Sequence, residues 1–228
     1  MNIYAISDLH LSFSTDKPMD VFGACWDGYW QKICDDWNSK VKDDDVVLIA
    51  GDISWAMTLD EALVDIAEIA KLPGKKVIVK GTHDYWWSSV SKIRKALPDG
   101  FFVIQNDAIK FGDVVVCGSR LWNLTNQTQA DKKINEREKL RLEMSLEKAL
   151  GLRQEGDRVF VMCHYPPFDV TLGESQYTQI LERYNVDAVV YGHLHGKDCR
   201  AVKYLERNNT KYYLTSCDQV ENKLVKIY

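Results

Sequence analysis

The chain has 228 residues, 46% hydrophobic and 27% charged, which suits one domain with a sizeable core. Lysine and arginine number 29 against 33 aspartates and glutamates, and this net charge of −4 speaks against non-specific binding to nucleic acid or an anionic membrane. No stretch approaches the roughly 20 apolar residues of a membrane span. None of the six cysteines stands in a CxxC pair and no signal segment opens the chain, so a cytoplasmic protein with reduced thiols is expected. Residues 3–6, 46–50 and 77–79 are short apolar runs rich in β-branched side chains, which read as strands buried on both faces. Trp26, Trp30, Ile33 and Trp37 recur at helical spacing and read as a core stripe. Further helices are expected over residues 59–72, closed by Pro73-Gly74, and 86–97, closed by Pro98-Asp99-Gly100. This alternation predicts a mainly parallel sheet with crossover helices. Residues 101–104, 108–111 and 114–117 read as closely spaced strands, with turn signals at Asn106-Asp107 and Gly112-Asp113. A charged helix over 129–150, a strand over 159–163, a helix over 174–184 and a strand over 186–191 follow. Hairpin strands at 201–205, 211–215 and 224–228 end the chain. No linker or repeat interrupts it, so a single domain over 1–228 is expected, and Asp43-Asp44-Asp45 reads as a solvated turn.

The chemistry gathers at strand ends. His10, His83, His164, His193 and His195 each stand at or just past the end of an apolar strand, with Asp8, Asp52 and Asp84 beside them. Sites in open α/β sheets form beyond the carboxyl ends of strands, and histidines clustered there with carboxylates point to metal or catalytic chemistry. In Asp8-Leu9-His10 the two candidate ligands are i and i+2; in an extended segment they would face one side and grip one ion. His193-Leu194-His195 repeats that spacing. Gly51-Asp52 follows a strand directly, and a carboxylate can give one oxygen to each of two cations. Mixed nitrogen and oxygen donors suit Mn, Fe, Zn or Co better than Ca or Mg.

The ordered set Asp8-Leu9-His10, Gly51-Asp52, Gly81-Thr82-His83-Asp84, His164 and Gly192-His193-Leu194-His195 resembles the calcineurin-like metallophosphoesterases, whose pattern is DxH, GD, GNHD, a lone H, then GHxH. The resemblance implies an α/β fold of four layers, an α-β-β-α sandwich of two sheets flanked by helices. It implies two divalent transition-metal ions: Asp8, His10 and His195 on the first, His164 and His193 on the second, Asp52 bridging. His83 would face the scissile phosphate, with Asp84 orienting its imidazole. A water shared by two cations loses a proton readily, and its hydroxide would attack phosphorus in line with the leaving group. The implied activity is hydrolysis of a phosphomonoester or phosphodiester on a phosphorylated small molecule or phosphoprotein.

Thr82 departs from the pattern, standing where the family has an asparagine that ligates the second metal. Threonine is shorter, β-branched and a poorer donor than an amide oxygen, so weaker binding of the second metal, lower activity, or both are expected. Tyr85-Trp86-Trp87 reads as packing, with an aromatic wall for the substrate as the alternative. Arg120, in Gly118-Ser119-Arg120 after a strand, is a candidate for pairing a phosphate oxygen bidentately. Two other classes compete: a non-catalytic binding module on the same fold, against which the retention of all five histidines speaks, and a nuclease, for which the charge offers no basic groove.

Overall fold

A computed structural model describes every residue of the chain except 126, 170, 197, 198 and 200. In chain order the strands are β1 (Ile3–Ile6), β2 (Val46–Ile49), β3 (Lys75–Ile78), β4 (Phe101–Val103), β5 (Ala108–Phe111), β6 (Val114–Ser119), β7 (Arg158–Cys163), β8 (Ala188–Tyr191), β9 (Tyr204–Arg207), β10 (Thr210–Leu214) and β11 (Val225–Lys226). The helices are α1 (Tyr29–Lys40), α2 (Leu59–Ala70), α3 (Val90–Ala96), α4 (Gln129–Leu152) and α5 (Gln176–Arg183), and two 3-10 turns, Met19–Phe22 and Ala24–Trp26, precede α1.

The strands form two sheets, ordered β11-β1-β2-β3-β4 and β5-β6-β7-β8-β10-β9. The runs β1 to β4 and β6 to β8 pair in parallel, while β11, β5 and β9 add antiparallel edges. Alternation along each strand builds the layers. Ile3 and Ala5 of β1 face Val114, Val116, Phe160 and Met162 of the second sheet, in a core shared between the sheets. Tyr4 and Ile6 face the other way, onto a core with Ile33 and Trp37 of α1 and Ile66 of α2. The second sheet buries Val159 and Val161 against Leu142 and Leu146 of α4 and Leu181 of α5. Four layers result, α-β-β-α, and strands buried on both faces explain why their sequences are continuously apolar.

Several elements differ from expectation. The helix expected from residue 86 begins only at Val90, because Trp86 and Trp87 are sunk into the core as part of a loop. Their indoles donate to Asp84 and Gln105, which holds the loop out of helical geometry. The strands near 101–117 are not one meander: β4 closes the first sheet and β5 opens the second, so the Asn106-Asp107 turn carries the chain between sheets. Only β5 and β6 form a hairpin there. Asp45 is not solvated; it is 3% exposed, and its carboxylate accepts from the Asn2 and Lys42 amides.

Candidate active site

Every candidate ligand lies on a loop leaving the carboxyl end of a strand, and both sheets contribute. Asp8 and His10 follow β1, Asp52 follows β2, and Thr82, His83 and Asp84 follow β3; His164 follows β7, while His193 and His195 follow β8. The extended geometry expected for Asp8-Leu9-His10 and His193-Leu194-His195 is not what folds. Asp8, His10, Asp52 and His193 have φ of 56°, 46°, 52° and 69°. Such left-handed backbone is costly away from glycine and collects at functional sites. Here it is held by hydrogen bonds: the Asp8 amide donates to the Gly51 carbonyl (3.0 Å) and the His10 amide to the Asp52 carbonyl (3.0 Å). The His193 amide donates to both Asp8 oxygens (3.1 Å each).

Two glycines let these loops meet. A Cβ on Gly51 (φ 91°) would lie 2.7 Å from both the Gly81 Cα and the His164 Nδ1. A Cβ on Gly192 would strike the Ser7 hydroxyl and the Asp8 carboxylate. The ligand loops are therefore packed backbone to side chain, with no room for a methyl group.

Asp52 Oδ2 is the hub. It lies 2.8 Å from His83 Nδ1, 3.4 Å from His164 Nε2 and 3.7 Å from His10 Nε2. Asp8, His10 and His195 each offer one ligand atom, all within 4.8 Å of one another; His10, Asp52 and His83 do the same, as do Asp8, Asp52 and His164. The His193 ring packs 5.2 Å from that of His164 and 4.0 Å from Tyr165. Asp8, His10, Asp52 and His164 are fully buried. Both ring nitrogens of His10, Nε2 of His164 and Oγ1 of Thr82 are buried with no hydrogen-bond partner among the described residues. Buried polar atoms are ordinarily paired, so orphaned nitrogens facing buried carboxylates fit a cation well.

The electrostatics agree with that fit. Burial pushes His10 and His193 down to about 3, leaving both imidazoles neutral with a lone pair to give. Burial acts in the same direction on His164, but Asp52 and Asp8 outweigh it and push it up to about 9. Burial disfavours the Asp52 carboxylate, yet His164, His83 and His10 together hold its pKa well below the usual range.

Asp84 does not orient the His83 ring, contrary to what the resemblance implies. Its carboxylate accepts from the amides of Gly81, Asp52, Ile53 and Ser54 and from the Trp86 indole. Burial and the neighbouring Asp52 charge push it up to about 6 against the pull of those amides. It ties the β2 and β3 loops together, while the His83 ring is held by Asp52 and by Trp55, 4.5 Å away. Arg120 stands apart from the ligand cluster: its guanidinium lies 4.5 Å over the Trp122 ring and 3.9 Å from Glu138. Three residues outside the motifs also line the cluster: Trp55, stacked 4.8 Å from His10, Tyr165 beside His193, and Ser7, whose hydroxyl donates to Asp8 at 2.6 Å. Ser7 and Tyr165 each adjoin a motif residue in sequence, which signals their place; Trp55 carries no such signal.

A family model described as calcineurin-like phosphoesterase matches residues 1–197. No curated protein matches the chain by sequence. Among solved structures, a phosphopantetheinyl hydrolase from Mycobacterium tuberculosis superposes with a TM-score of 0.60 at 13% identity, covering 99% of this chain and 95% of that one. A protein of unknown function from Aquifex aeolicus gives 0.54 at 15% identity, over 99% and 95% of the two chains. An anchor protein of the inner membrane complex of Plasmodium gives 0.54 at 14%, over 96% and 72%. At these identities the structures share the fold. The match over residues 1–197 carries the family: this chain belongs to the calcineurin-like phosphoesterases and is a hydrolase of phosphoester bonds.

Proposed function

We propose that the chain hydrolyses a phosphomonoester or phosphodiester of a small organic molecule at a two-metal centre. Asp8, His10 and His195 would hold the first metal and His164 and His193 the second, with Asp52 available to both and Thr82 beside the second. The observation that carries this reading is three overlapping His and Asp triads, each with ligand atoms within 4.8 Å of one another, and buried imidazole nitrogens with no hydrogen-bond partner among the described residues. Mixed nitrogen and oxygen donors favour Mn, Fe, Zn or Co.

When bound, the metal ions supply an acidified water and a positive clamp on the phosphoryl oxygens. The protein's own residues do the rest. His83 lines an open cavity with His195 and Trp55. Asp52 holds its Nδ1, so Nε2 is the atom that would give a proton to the departing oxygen, a step worth roughly 10²–10⁴-fold in rate. On the other side of the cluster, a cavity of 530 Å³ is walled by Trp122, Tyr165, Phe168, Leu172 and His193. A cavity of this size and apolar character suits the organic part of a small-molecule substrate rather than a protein surface. All six cysteines are free thiols, which supports action in the reducing cytoplasm.

The test is metal analysis paired with hydrolysis of an aryl phosphomonoester and an aryl phosphodiester, with Mn supplied. Wild-type protein is expected to cleave at least one of them. His83→Ala is expected to keep its metal content and lose roughly 10²–10⁴-fold in kcat. Full metal loading with no hydrolysis of either ester would favour a binding module instead, and normal turnover in the variant would remove His83 from the mechanism.

A further inference from the structure

A second cavity, of 290 Å³, lies behind the His83 loop. Its walls come from the carboxyl ends of β3 and β6 and from α4, and they bring together Lys80, Arg120, Arg137 and Arg141 around one carboxylate, Glu138. Glu138 is 1% exposed and already engaged: Oε2 accepts from the Ser119 hydroxyl at 2.8 Å and Oε1 from Arg141 at 2.8 Å. Arg137 and Arg120 stand farther off the same oxygen, at 3.8 Å and 3.9 Å. Lys80 is half-buried and has no hydrogen-bond or ion-pair partner among the described residues.

One guanidinium neutralises Glu138 and satisfies the fold. The other three cations are held near one another with no second carboxylate lining the cavity among the described residues, so their mutual repulsion is only partly offset. Such an excess of fixed positive charge is useful when an anion completes it. Guanidinium forks match the oxygens of phosphate groups, and an ammonium adds a point charge. Arg120 is steadied by stacking on Trp122, and Arg141 by Glu138. Glu138 thus braces the arginines more than it cancels them.

We propose that this cavity is a second anion-binding site, taking a phosphate-class group through Lys80, Arg120, Arg137 and Arg141. Its placement couples it to the metal cluster without sharing a lining residue. Lys80 directly precedes Gly81-Thr82-His83, Trp87 and Ser88 follow the same loop, and the Arg120 carbonyl accepts the amides of His164 (3.2 Å) and Tyr165 (2.9 Å). The bound group is either a second phosphate of the substrate or a free anion; the chemistry of recognition is the same.

Inorganic phosphate titrated calorimetrically into the metal-loaded protein tests the site, using wild type, Lys80→Met and Arg137→Gln. Arg137 is 53% exposed along its side chain, so its substitution keeps the test alive should the Lys80 variant fold poorly. A phosphate site that weakens roughly tenfold or more in the folded variants, with metal content unchanged, is the expected result for losing one charged contact. Phosphate affinity unchanged in both variants, or no phosphate site outside the metal centre, overturns the proposal. The measurement needs no turnover, so it stands or fails separately from the hydrolase assay. Two kinetic arms then identify the source. A substrate phosphate predicts a raised KM for a bis-phosphorylated ester but not for an aryl monophosphate in the variants. A free anion predicts that sulfate changes aryl monophosphate turnover in wild type and not in the variants.

Discussion

The Asp84 carboxylate collects four backbone amides and one indole N–H from two separate loops, and this makes it a clamp rather than a partner of His83. The two roles predict different variants. Asp84→Asn exchanges half of an all-acceptor group for a donor that faces other donors. It is expected to cost about 2–3 kcal/mol of stability and to loosen metal binding, which thermal unfolding and metal analysis would show. An imidazole orienter would instead lower kcat with stability and metal content unchanged. The contrast also marks what single residues disclose. That the five histidines, Asp8 and Asp52 gather in one place was legible, because residue type and strand-end position together restrict where such groups stand. Which neighbour each one touches was not, since Asp84 adjoins His83 in sequence while its carboxylate turns toward the Asp52 loop. Trp55 was hidden for a related reason: an aromatic residue in a loop looks the same whether it props a histidine or fills a core.

Among the elements, strands and helices were legible to within a few residues wherever apolar periodicity was long, as in α2, α4 and β7. The loops were not. Positive φ at Asp8, His10, Asp52 and His193 is only weakly signalled by residue type, since Asp and His tolerate it better than most, and contacts from distant strands impose it. Asp45 gives the same lesson at the mouth of β2. Three consecutive aspartates look like a solvated turn, yet the last accepts the Asn2 and Lys42 amides and the Asn2 side chain, fixing the start of β1 beside β2. Those hydrogen bonds hold its carboxyl below the usual range against the opposing effect of burial. A depressed pKa stabilises the fold above the unfolded value, about 3.9, and that contribution fades as pH falls through the folded value. Asp45→Asn is therefore expected to cost about 1–3 kcal/mol at neutral pH. Urea unfolding of wild type and variant, both with chelator, should show that gap at pH 7 and a smaller one at pH 3; an equal gap at both would count against the ionised carboxylate as its source.

Across the whole molecule, the candidate ligand cluster sits on the seam between the sheets, with Asp8, His10 and Asp52 from one side and His164, His193 and His195 from the other. A cation bound there would stabilise only the docked sandwich. With free metal at about 100 times Kd this adds roughly 2.7 kcal/mol, or about 5–10 °C in Tm for a chain of this length. Scanning calorimetry with and without a chelator should show a drop of that size, and Tm should return on adding Mn. No shift on chelation would mean that the two sheets hold together without the ions. The four-layer arrangement itself was readable only through the resemblance; strand and helix alternation alone fits a single open sheet as well.

The hydrogen bond from the His193 amide to Asp8 joins residues 185 positions apart. On a ribosome adding about 5–20 residues per second, the first ligand waits roughly 10–40 s for its last partners to be made. β11, which flanks β1, emerges later still. The nascent chain therefore carries Asp8, His10 and Asp52 as an incomplete set until the strands bearing His164, His193 and His195 have been made. Metal capture at the full set would wait for both sheets to be present and docked.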